Sequence, residues 1–70
     1  MTLNFDEISI IAICKEKNRK DTIRKVAEMT SFLSPDQWEL MELSEKVIRK
    51  LKAMTDGDFE NIDFDLPYDA

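Results

Sequence analysis

The sequence predicts an all-α fold: a small three-helix bundle with a short fourth helix and an extended acidic C-terminal segment. Three observations carry this. Helix start signals recur at Asn4, Asn18, Ser34 and Thr55, each a side-chain oxygen able to accept from the orphan N–H groups of a first turn. Residues 34–54 hold an apolar stripe at helical spacing between a start and a stop. One glycine and two prolines interrupt 70 residues, 43% of them hydrophobic, which is the composition of a packed domain rather than a disordered chain.

The first helix is expected over residues 5–16. Asn4 caps it, Glu7 can reach back to the cap, and Asp6 and Glu7 face the positive end of the helix dipole. Ile8, Ile10, Ile11, Ala12, Ile13 and Cys14 lie nearly all round the wheel, so periodicity does not separate a buried helix from a buried strand. Helix is preferred because a lone strand has no partner in so short a chain, whereas a helix apolar on most sides can sit centrally. A charged turn follows, and Asn18 opens a second helix over 19–29. There Ile23, Val26, Ala27 and Thr30 face inward and Lys20, Arg24, Lys25 and Glu28 outward.

The third helix, 35–54, organises the chain. Ser34 and Gln37 form a capping box, and Pro35 occupies the first helical position, where its missing N–H costs nothing. At about 100° per residue, Leu40, Met41, Leu43, Val47, Ile48, Leu51 and Met54 fall within an arc of about 160°. Burial of Leu40, Val47 and Leu51 follows. Glu42–Lys46 and Glu45–Arg49 are acid-before-base pairs at a spacing of four. Phe32 and Leu33 precede the cap as a hydrophobic staple for its first turns. Thr55 starts a fourth helix over 56–61 with Phe59 as its apolar contact. In the tail, 62–70, Ile62, Phe64 and Leu66 alternate with Asp63 and Asp65. One face of this segment is expected against the groove beside the first and third helices, with residues beyond Pro67 mobile.

Composition excludes more than it assigns. A single cysteine and no histidine rule out an internal disulfide and the usual zinc sites, and no cofactor is expected. The apolar run at 8–14 is too short to span a bilayer, which takes about 20 residues, and nothing basic precedes it as in a secretory signal. A reduced cytoplasm fits. The net charge is −5, yet residues 55–70 hold six acids and no base, so the helical body is nearly neutral. Residues 56–67 superficially suggest a calcium loop, but Asn61 and Pro67 stand where glycine and a bidentate glutamate are needed. The second and third helices could be drawn as a helix-turn-helix. Asp36, Glu39 and Glu42 would then meet phosphate with like charge.

Two sets of residues remain as candidate sites. Lys15, Lys17, Arg19, Lys20, Arg24 and Lys25 form the one cluster able to attract an anion, set against a reading as a solvated turn and helix face. Trp38, Phe59, Phe64 and Tyr68 are candidate partner contacts, because aromatic side chains dominate such surfaces. Cys14 lacks a conventional base and reads as a core thiol, and Met29, Met41 and Met54 read as core gap-fillers. No catalytic constellation is present, so a non-enzymatic role is expected.

Phe5-Asp6-Glu7-Ile8, the run Met41-Glu42-Leu43 leading to Val47-Ile48-Arg49-Lys50-Leu51, and Ala53-Met54-Thr55-Asp56 followed by Phe59 and Asp63-Phe64 together resemble a known family. It is that of the transposon-transfer assisting proteins, small accessories encoded on conjugative transposons of Gram-positive gut bacteria. The resemblance covers residues 4–65 and is strongest over 41–64; the basic turn is where departure is expected. It implies a cytoplasmic accessory carried on a mobile element and helping its transfer. It implies no chemistry. Binding to another protein of that element is expected from the lack of catalytic residues together with Trp38 and the aromatic-acidic tail, and a monomer or weak dimer is expected of so small a bundle. The alternative expectation is a nucleic-acid-associated accessory, acting through the basic turn or as an acidic mimic of DNA.

Overall fold

The computed structural model describes residues 3–62, and the expectations for Phe64, Tyr68 and the rest of the tail beyond Ile62 lie outside them. The order of elements is α1 (Phe5–Cys14), α2 (Arg19–Ser31), a 3-10 turn (Pro35–Gln37), α3 (Trp38–Ala53) and α4 (Asp56–Glu60). No strand occurs among the described residues, so the ambiguous run of isoleucines in α1 is helical.

Each start signal works locally. The Glu7 N–H donates to Asn4 Oδ1 at 2.8 Å while the Asn4 N–H donates to Glu7 Oε1 at 2.9 Å. Asn18 accepts from the Asp21 N–H at 2.7 Å, and Thr55 from the Asp58 N–H at 3.0 Å. At Ser34 the backbone N–H donates to Gln37 Oε1 at 2.9 Å. The Gln37 N–H bonds the Ser34 carbonyl at 2.9 Å, a three-residue closure, so the entry is a 3-10 turn and the α-helix proper begins at Trp38.

The ends differ from the sequence reading for hydroxyl reasons. α1 stops at Cys14 rather than 16 because the Glu16 N–H donates to Thr22 Oγ1 at 3.0 Å, and the same hydroxyl donates to the Asn18 carbonyl at 2.8 Å. Thr22, fully buried, thus satisfies the turn that helical bonds would otherwise have filled. α2 runs on to Ser31 as Thr30 and Ser31 bond back to the Val26 and Glu28 carbonyls, each at 2.6 Å.

The core is one cluster of Ile10, Ile11, Cys14, Val26, Val47, Leu51, Met54 and Phe59. Val47 and Leu51 are fully buried as expected, while Leu40 is half-buried at the margin with Leu43 and Ile48. Each fully buried aliphatic side chain contributes about 1.5–3 kcal/mol. α3 packs against both α1 and α2, with the larger contact on α2, so α3 rather than α1 is central. With only two helices to lean on, α1 turns Phe5, Ala12 and Ile13 outward. Phe32 does not staple α3. It is 80% exposed, and only Leu33 is partly covered. The pairs Glu42–Lys46 and Glu45–Arg49 are not formed, whereas Arg19–Asp56, Arg24–Asp21 and Lys50–Glu7 are ion pairs between described residues.

Candidate functional site

The basic cluster is divided by the fold. Arg19 opens α2 and points across to the end of α3, where its Nε donates to Asp56 Oδ1 at 2.9 Å and its Nη1 to the Leu51 carbonyl at 2.8 Å. It is a tie between α2, α3 and α4, and its guanidinium is spent there. Arg24 stands 3.9 Å from Asp21. A cleft beside α2 is lined by Glu16, Asp21, Arg24, Lys25 and Glu28, so acids are interleaved with the bases that were expected to draw an anion. Lys17 and Arg19 line a second cleft with Asp56, Phe59 and Glu60, again of mixed sign. Lys15 and Lys20 are exposed. Six cations close in sequence therefore do not make one cationic surface.

The aromatic candidates separate too. Phe59 is 4% exposed and belongs to the core, so its side chain is not presented to a partner. Trp38 is 58% exposed at the first turn of α3. Phe32, which sequence reasoning assigned to packing, closes α2 with its ring outward, so Phe32 and Trp38 flank the same connection. Beside Trp38, the Asp36 carboxyl is held below its ordinary range by the Ser34 hydroxyl and then by its own backbone N–H. A second exposed apolar strip, Phe5, Ser9, Ala12 and Ile13, runs along α1. Nothing in the sequence marks that strip, since α1 is apolar on every side.

Two buried titratable groups are structural. Glu7, 1% exposed, takes a 2.8 Å bond from Lys50 Nζ. Burial alone would raise its pKa, but the Lys50 and Asn4 bonds, with the charges of Lys50 and Lys46, bring it below the ordinary 4.5. The Cys14 thiol is buried, lies 3.8 Å from Met29 Sδ, and is pushed above its ordinary 9.0 by burial, Lys25 opposing and Glu16 adding. A thiol held protonated is a poor nucleophile. Among the described residues, no group of three or more His, Cys, Asp or Glu could hold a metal ion, and no helix is long and apolar enough to cross a membrane.

A family model described as "Putative transposon-transfer assisting protein" matches residues 3–65. No curated protein and no solved structure matches the chain. The match takes in all four helices and most of the 70 residues, and the chain belongs to the transposon-transfer assisting family.

Proposed function

We propose that the protein is a non-enzymatic, cytoplasmic accessory of a mobile genetic element, which assists conjugative transposon transfer by binding another protein of that element. It works as a monomer or weak dimer. The observation that carries this reading is the exposure of Trp38, 58%, at the first residue of α3, with Phe32 across the same connection. Large rigid aromatics held outward by ordered backbone are what a partner surface uses as anchors. The alternative, a nucleic-acid accessory working through the basic turn, loses Arg19 to an internal tie and meets Glu16, Asp21 and Glu28 among its cations.

Transfer frequency tests the proposal. In a cell whose element lacks this gene, wild-type protein restores transfer, while Phe32→Ser/Trp38→Ala, melting as wild type does, restores about a tenth or less. Full restoration by that variant overturns the assignment. Gel shifts with single- and double-stranded DNA at low salt are expected to show no complex; a shift that fades as salt rises would move the reading to nucleic acid.

A further inference from the structure

We propose that the surface where α2 ends and α3 begins docks a basic segment, rich in lysine and arginine, of the partner protein. This rests on the protein-binding reading above and names the chemistry of its partner. From Val26 to Ser44 the chain contains no lysine or arginine, and Glu28, Asp36, Glu39 and Glu42 are all exposed there. All ten bases fall in residues 15–25 and 46–52. The bond from Arg19 at the start of α2 to the Leu51 carbonyl near the end of α3 sets the two helices antiparallel. Folding therefore gathers Asp36, Glu39, Glu42 and the two exposed aromatics at one end of the helix pair, while Glu28, at the edge of that end, shares a cleft with Arg24 and Lys25.

None of the ion pairs among the described residues draws on these four carboxylates, so their charge stays outward. Glu28 lies one turn before Phe32, and Glu42 one turn after Trp38. Each aromatic thus has a carboxylate one turn away. A guanidinium or ammonium gains from the face of the indole and from the acids together. A purely apolar partner would bury those acids unpaired, at a cost. Nucleic acid would meet them with like charge. A second copy would have to offer its own basic turn, in which Glu16 and Asp21 sit among the bases and Arg19 is already engaged.

Trp38 is the single tryptophan, so its emission reads this surface alone. The probe is a synthetic leucine–lysine peptide of about four helical turns, with its leucine–glutamate counterpart as control. Expected are a blue shift of Trp38 emission with the basic peptide, none with the acidic one, and binding that weakens as salt rises. Glu28→Gln/Glu39→Gln/Glu42→Gln should bind the basic peptide about tenfold less tightly. The proposal is overturned by emission indifferent to the basic peptide, by an equal response to the acidic one, or by unweakened binding of the neutralised variant. Emission that changes with the protein's own concentration, without peptide, overturns it in favour of a second copy. In the transfer assay, full restoration by the neutralised variant where Phe32→Ser/Trp38→Ala fails keeps the protein-binding reading and removes the basic partner.

Discussion

The two ends of the α2–α3 pair are finished in opposite ways. At one end Arg19 closes on the Leu51 carbonyl and Asp56, α4 is capped by Thr55, and Phe59 enters the core. At the other, Phe32 and Trp38 stand outward and four carboxylates make no internal ion pair. Charge that is spent inside the fold stabilises it; charge that is left over is available to something else. A cluster of like residues in sequence is therefore a poor guide to a surface until the bonds that consume its members are counted.

The largest expected effect removes both ends together. Val47→Asp places an unpaired carboxylate where exposure is zero, and cooperative melting should be lost; a preserved transition would show that α3 packs by another face. Next is the tie from α1 to α3. Glu7→Gln replaces a buried carboxylate that accepts from Lys50 Nζ at 2.8 Å with a neutral amide, and so removes a charge-assisted bond between α1 and α3. It should cost about 2 kcal/mol, below the range for a fully buried pair. Because the folded pKa of Glu7 lies below the ordinary 4.5, this contribution is present above that pH and is lost as pH falls through the folded value. Melting temperature should drop on acidification below that point, and the Gln variant should drop less.

At the closed end, Arg19→Ala removes a charged donor from the Leu51 carbonyl and should cost about 1.5 kcal/mol. In a domain this small that is roughly 6–12 °C in melting temperature. Asp56→Ala should cost under about 0.5 kcal/mol, since the Asp56 side chain is 81% exposed. The smallest effect belongs to the open end. Phe32→Ser/Trp38→Ala should change stability by less than about 0.5 kcal/mol, and a larger loss by thermal melting would mean that the aromatics are packed rather than presented.

What was legible in the sequence was mostly local. Asn4, Asn18, Ser34 and Thr55 act within three residues of themselves, so the starts of α1, α2 and α4 and the 3-10 turn that leads into α3 could be read directly, and the stripe of α3 fixed Val47 and Leu51 as core. Illegible were the groups whose partners are distant in the chain. Glu7 meets Lys50 and Arg19 meets Leu51 across more than thirty residues, and no spacing rule encodes such a meeting. Thr22 looked like an ordinary helix residue but seals the preceding turn. Ser44 lies amid the stripe of α3, and its buried hydroxyl, which bonds no group among the described residues, gave no signal in a pattern built from apolar residues. For the site, Trp38 could be nominated by residue type alone. Phe32 was assigned to packing because a staple position describes where a side chain can go, not where it does.

The placement of Cys14 bears on kinetics. A thiol that is 3% exposed and held protonated cannot meet a soluble reagent in the closed molecule. Labelling must wait for the helices to part, so the rate at which the native protein is alkylated counts openings of the core. Cys14 packs against Met29 between α1 and α2, and a partner that docks on the exposed ends of α2 and α3 and holds the bundle shut would therefore slow that clock without ever touching the sulfur.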